Sequence, residues 1–352
     1  MFENHNNRTE LSELGEFGLI RHIRENVELQ NASTIVGIGD DAAVIDNGNL
    51  RTVVTTDMLV EGVHFDLSFS PLKHLGYKAV TVNISDLCAM NAKPQQITTA
   101  VAISNRFSLE AIEELYEGIL LACKKYNVDL VGGDTCTSPS GLVISVTAIG
   151  TAKAEDLVYR SGAEINDLIC VTGDLGGAYM GLQLLEREKK IFLENPNLQP
   201  DLEGFDYLLE RQLKPEPRWD IIEKFKLYDI KPTAMIDISD GLASEIMHIC
   251  TESGKGCQIY EEKIPIDHQT RELAIEFGLD PTICALNGGE DYELLFTIPL
   301  SEYEKIKDRA EFTIVGHITD KSGGYNFIDR QNGQHELKAQ GWDAFKKNFD
   351  SE

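Results

Sequence analysis

Five short acidic segments, GIGDDAAV (37–44), TTDMLVEGVH (55–64), NISDL (83–87), GGDT (132–135) and DISDG (237–241), set carboxylates mostly beside Gly, Ser or Thr. In a tight turn Gly supplies unusual backbone angles and no side chain blocks approach, so a neighbouring carboxylate is free to face a hard cation. A sixth segment, NGGEDYELLF (287–296), repeats the pattern. Magnesium is held by a few carboxylates together with the phosphate oxygens of a substrate. A split site of this kind predicts nucleotide-dependent phosphoryl transfer.

A lone GDD or SDG is ordinary turn chemistry. Placement is what favours a ligand role: Asp57, Asp134 and Asp237 each follow an apolar β run, and strand ends collect ligands. In DISDGLASEIMHIC, Ser239 or Asp240 reads either as the N-cap of a helix running to Cys250 or as a metal or nucleotide contact. GDLGGAYMG (173–181) has the composition of a loop opening a helix whose first amides hold an anion. No G-x-x-x-x-G-K-[ST] occurs, which excludes a P-loop kinase, and the H-R-D and D-F-G pair of protein kinases is also absent. Arg160 in YRSGA reads as a surface ion pair or a bidentate phosphate ligand, and His64 as a packed histidine or a ligand. Neither a G-x-S-x-G elbow nor a local cysteine nucleophile motif supports covalent catalysis.

Composition narrows the partners. The 352 residues carry 58 acidic against 32 basic side chains, a net charge of −26, which repels nucleic acid and anionic membranes. Divalent cations reconcile that charge with anionic phosphate substrates by bridging them. Seven cysteines without a C-x-x-C pair read as reduced core thiols. The polar N-terminus lacks a signal-peptide pattern and no apolar run reaches membrane-span length, so a soluble, cytoplasmic chain is expected.

Several elements must position these residues. Apolar spacing predicts a helix over 15–27, a second over 71–90, and an amphipathic third over 107–127 with Ser108 as N-cap. Two β runs flank the turn DNGN (46–49), and further runs occupy 97–104 and 142–150. The order predicts a mixed α/β (α+β) layer rather than a doubly wound sheet. After residue 150 the pattern restarts: a strand, Gly-rich turn and helix from 167, then a strand ending in acids at 237, then strands at 293–298 and 312–318. The length exceeds the usual single-core limit of roughly 250–300 residues, and two domains are expected, 15–152 and 153–346. The charged, Pro-containing stretch 189–220 reads as an exposed helical insertion.

Taken in order, GEFGLI, GIGDDAAV, TTDMLVEGVHF, YKAVTVNISDLCAM, LVGGDT, RSGA, IDISDGL, NGGEDYELLF and GWDAF resemble the thiamine-monophosphate kinase family across residues 15–346. Single motifs such as GDD fit the wider aminoimidazole ribonucleotide synthetase-like superfamily of ATP-binding proteins. The resemblance implies a two-domain fold whose N-terminal domain lends strands to a dimeric barrel, and hence a homodimer. It also implies in-line transfer of the γ-phosphoryl of ATP to thiamine monophosphate, without a phosphoenzyme, assisted by several Mg2+ ions. Carried over by position, Asp41, Thr55, Thr56, Asp57, Asp86, Asp134, Asp237 and Asp240 form the metal shell, with Asp57, Asp86 and Asp134 closest to the chemistry. Gly133, Arg160 and Ser239 touch the nucleotide. His64, Glu290 and Trp342 hold the thiamine part, the indole over a cationic ring. Asn91, Asn287 and Ala344 depart from the residues common in the family. Competing readings are a relative with another acceptor, a nucleotide-binding module without turnover, and structural Ca2+ sites, the last lacking a D-x-[DN]-x-[DN]-G loop.

Overall fold

The computed structural model describes residues 11–340, so Trp342 and Ala344 lie outside the described residues. The first half runs α1 (Leu11–Asn26), β1 (Thr34–Val36), β2 (Ala43–Asp46), β3 (Arg51–Val60), α2 (Leu72–Ala89), β4 (Lys93–Ile103), α3 (Leu109–Tyr126), β5 (Asp129–Thr137) and β6 (Leu142–Ala152). The second runs β7 (Leu168–Thr172), α4 (Gly177–Glu194), α5 (Asp206–Leu213), α6 (Trp219–Tyr228), β8 (Ala234–Asp237), α7 (Leu242–Ser253) and β9 (Gly256–Tyr260). It continues through α8 (His268–Glu276), α9 (Pro281–Asn287), β10 (Leu294–Ile298), α10 (Tyr303–Ile306), β11 (Phe312–Thr319), β12 (Tyr325–Ile328) and β13 (Gln334–Glu336).

Two mixed sheets result, ordered β1-β2-β3-β6-β4-β5 and β13-β12-β9-β11-β7-β10-β8. Among the described strands only β4–β5 and β9–β12 pair in parallel, in keeping with a mixed α/β fold. On β6 burial alternates residue by residue, the period of two of a strand with one covered face. Leu142, Ile144, Val146 and Ala148 are buried, whereas Val143, Ser145, Thr147 and Ile149 are only half-buried.

α2 is apolar or small nearly all round and buries fourteen of its eighteen residues, the mark of a helix inside a core. α3 is amphipathic, capped by Ser108, whose hydroxyl accepts from the Ala111 amide, and packs against α2 through facing glycines. A Cβ on Gly76 would sit 2.0 Å from the Leu115 carbonyl oxygen, and one on Gly118 1.9 Å from that of Lys73. Glycine inside a helix costs roughly 0.5–1 kcal/mol, offset here by backbone contact that any larger residue would forbid. The core is continuous between the sheets, joining Leu87 of α2 and Met90, its C-cap, to Phe225, Met235 and Phe296 of the second half.

The 189–220 stretch differs from expectation. Only residues 190–201 are exposed throughout. α5 packs on α4 with Leu208 and Gln212 buried, because its apolar face is needed to cover Met180 and Leu184.

Candidate active site

A cavity of about 1300 Å³ opens between the halves, lined by Asp57, Asp86, Asp237 and Asp240 at one end and by His64, Lys78, Gln212 and Glu290 at the other. One oxygen each from Asp41, Asp86 and Asp237 lies within 4.8 Å of the others. These three come from the β1–β2 turn, the last turn of α2 and the end of β8. Asp57, in β3, is held by its amide, which donates to Asn83 Oδ1 at 3.0 Å. Thr55 donates to Asp86, and Ser85 to Asp237, each through its hydroxyl. Of the three aspartates expected after strand runs, only Asp237 ends its strand; Asp57 and Asp134 sit within β3 and β5.

Crowding buried carboxylates disfavours their charged forms. Burial, then the Asp41 charge, raises Asp57 to about 6 and Asp237 to about 7. Asp86 is pushed well above the carboxylate range by burial and then by Asp57, Asp237 and Asp41. Asp41 is raised by burial against the pull of Arg160, whose Nη2 and Nε donate to the same Asp41 oxygen at 2.6 and 3.2 Å. The other oxygen, Asp41 Oδ2, is buried with no hydrogen-bond partner among the described residues. An orphaned carboxylate oxygen beside buried Asp237 and half-buried Asp57 and Asp86 is a donor set suited to a hard divalent cation.

The raised carboxyls make stability depend on pH, and a bound cation would couple that dependence to metal. With folded-state values above the ordinary carboxylate range, its contribution is full below about pH 4 and lost as pH rises through about 6 to 7 in the metal-free chain. A cation reverses that loss. The rise in Tm on adding Mg2+ to chelator-treated protein is therefore expected to be larger near pH 8 than near pH 5. An equal rise at both, by scanning calorimetry, would separate the cluster from metal binding.

Other expected residues are distributed unevenly. Arg160 binds Asp41 and, through its amide, Asp40. Neither Ser239 nor Asp240 caps α7: the cap position is Gly241, and the Asp240 amide instead donates to Glu245 Oε1 at 3.0 Å. Thr56 turns its hydroxyl to the Val146 carbonyl, on the sheet face opposite Thr55 and Asp57. Asp134 and Gly133 lie on edge strand β5, three strand spacings or about 14 Å from β3, and the chain alone does not bring them to the cluster. A Cβ at Gly133 would fall 1.9 Å from the Thr99 carbonyl oxygen, so glycine there has a packing reason.

At the far end, His64 Nδ1 accepts from the Val60 amide at 3.1 Å, which places the proton of the neutral ring on Nε2. Burial lowers its basicity, partly opposed by Glu290. Glu290 Oε1 pairs with Lys78 Nζ at 2.8 Å and Oε2 accepts from Gln212 Nε2 at 2.7 Å. The Gly-rich turn before α4 differs from expectation: the amides of Gly176 and Ala178 donate to Asp291. That helix N-terminus therefore holds an anion from its own chain.

Sequence reasoning passed over Lys78, Gln212, Asn83 and Glu245. A signal for Lys78 existed: Lys78, Val82 and Asp86 are spaced i, i+4, i+8 in one helix and all reach the cavity.

Fold and site place the chain in the AIR synthase-related class. The family model described as AIR synthase related protein, N-terminal domain, matches residues 39–152. The HypE–HypF complex, at 21% identity and TM-score 0.67 over 91% of this chain and 99% of that one, shares the fold. The chain is 34% identical to thiamine-monophosphate kinase of Bacillus subtilis over 95% of its own length and 100% of the relative. It is 33% identical to that of Aquifex aeolicus over 95% and 99%. It also matches the structure of AaThiL complexed with AMPPCP and TMP, at TM-score 0.82 and 32% identity over 96% and 99%. The chain belongs to the thiamine-monophosphate kinase family.

Proposed function

We propose that this protein transfers the γ-phosphoryl group of ATP directly to the phosphate of thiamine monophosphate, forming thiamine diphosphate and ADP. The observation that carries this reading is a cavity joining a cluster of buried and half-buried aspartates to a pocket with a histidine and a held carboxylate. An acceptor phosphate oxygen forms the new P–O bond as the bond from the γ-phosphorus to the β,γ-bridging oxygen breaks, leaving ADP. The acceptor is largely ionised at neutral pH, so positioning and charge neutralisation supply most of the rate.

Asp41, Asp57, Asp86 and Asp237 would hold Mg2+, with Asp240 beside them, and the bound ions would neutralise phosphate charge and polarise the transferred group. Thr55 and Ser85 orient two of those carboxylates by donating to them. Arg160, which pairs with Asp41, would exchange part of that contact for a nucleotide phosphate, and Ser239 would touch the same nucleotide. His64 and Glu290 face the thiamine moiety: Nε2–H donates, and the carboxylate complements a cationic, amino-bearing heterocycle. Trp342 is proposed for the same ring.

We also propose a homodimer, with 15–152 and 153–346 as the two domains of each subunit. β5 is an exposed edge of nine residues carrying Val131 at 59% exposure, and the sheet face bearing Thr56, Met58 and Ala100 is uncovered. Such an edge invites a partner, which would give Gly133 and Asp134 a site to serve; Thr56 already lines the cavity. All seven cysteines are free and six are buried, which fits a reducing cytoplasmic setting. No described helix is long and apolar enough to cross a membrane.

The test is incubation with ATP and Mg2+ against thiamine, thiamine monophosphate and thiamine diphosphate, with products identified by mass. Thiamine diphosphate is expected from the monophosphate alone. ATP binding without that product would overturn the reading.

A further inference from the structure

The loop carrying Glu290 is gripped by a segment that the family's sequence pattern leaves without a role. Glu290 and Tyr292 have φ of 67° and 51°, a left-handed conformation that non-glycine residues rarely adopt and that persists only when surroundings impose it. The backbone is held by the Ser239 and Ile238 carbonyls, which accept from the Glu290 and Tyr292 amides at 2.7 and 2.8 Å, and the side chains are held by α5 and the turn after it. Arg211 donates to Asp291 at 3.3 Å and to Glu293 at 2.8 Å, and Arg218 pairs with Glu293. Gln212, 5% exposed, takes one oxygen of Glu290, while Lys78, 4% exposed, takes the other. Lys78 Nζ also donates to the Gln212 carbonyl at 3.3 Å, closing the triangle. Gln212 Oε1 is left buried and unpartnered in the wall of the cavity.

Lys78 precedes Asp86 by eight residues on one face of α2, about 12 Å along the axis. It therefore stands at the acceptor end of the cavity, away from the aspartate cluster.

We propose that Gln212 is a positioning residue for acceptor selection: with Lys78 it fixes both oxygens of Glu290 so that the carboxylate meets the cationic, amino-bearing heterocycle of the acceptor in one orientation. This rests on the thiamine monophosphate reading above. The role is exerted through Glu290, so the test is a cycle of Gln212→Leu, Glu290→Gln and the double variant, each checked for folding by circular dichroism and assayed with both substrates varied.

Gln212→Leu is expected to raise the KM for thiamine monophosphate about tenfold, with kcat and the KM for ATP within about twofold of wild type. In the Glu290→Gln background the same change is expected to alter the acceptor KM less than about twofold. Equal effects in both backgrounds, a fall confined to kcat, or no effect would overturn the proposal. Should the leucine variant not fold, Gln212→Glu sets a second carboxylate against Glu290 and is expected to raise the acceptor KM more near pH 8 than near pH 6; a pH-independent KM would then overturn it. Wild-type protein that makes no thiamine diphosphate would instead remove the functional reading itself.

Discussion

Asp86→Asn is expected to lower kcat by roughly 10³-fold or more while leaving the protein folded. Asp86 ends the buried helix that anchors both sheets, accepts from Thr55, and has Asp57, Asp237 and Asp41 as its strongest charged neighbours. Asparagine keeps the shape and the Thr55 contact but removes the charge that a divalent cation requires. The same removal relieves repulsion among the remaining acids, so the metal-free variant should melt no lower than wild type, and its Mg2+-induced rise in Tm should shrink. Asp57→Asn should behave alike. Turnover near the wild-type rate by purified Asp86→Asn would take that residue out of the metal shell. A collapse in metal-free stability would recast it as a structural group.

Arg211→Ala should cost about 3 kcal/mol of stability, through the loss of a buried ion pair. Its guanidinium serves Asp291, Glu293 and the Asp174 carbonyl, with a side chain only 17% exposed. Asp291 would keep the amides of Gly176 and Ala178, and Glu293 would keep Arg218 and Thr172. Those contacts limit the loss to the lower part of the range for a broken buried pair. Burial already lifts Asp291 to about 6 with Arg211 present. Without its counter-ion the carboxyl rises further, so the deficit should narrow as pH falls below about 6 and the acid protonates in the folded state. Urea midpoints at two pH values measure this, and a loss under about 1 kcal/mol at neutral pH would show that the ion pair contributes little.

The individual elements were legible in the chain because they rest on local periodicity. The helix with Ser108 at its cap, the hairpin around DNGN and the strand expected over 142–150 follow from spacing and turn chemistry, which act over a few residues. The stretch 189–220 was misread for the same reason. Charge and proline dominate a local window, while the apolar stripe of α5 acquires meaning only against α4 and the 290–293 loop. The Gly-rich turn at 173–176 looked ready for an external anion because its internal anion, Asp291, is 115 residues away from Gly176.

Residue type and motif order by themselves determined the chemistry sought: carboxylates in small-residue turns, an acidic excess calling for bridging cations beside phosphates, and a family resemblance spanning nearly its whole length. Tertiary structure alone decided which of those carboxylates meet. Asp41, Asp86 and Asp237 converge from a turn, a helix end and a strand end, whereas Asp134, equally plausible by motif, stands on a distant edge. It likewise decided that Lys78 and Gln212 share Glu290. The physical reason is that motifs encode local backbone freedom and donor type. Convergence depends on sheet order and on how a buried helix is clasped between two sheets, which are properties of long-range packing.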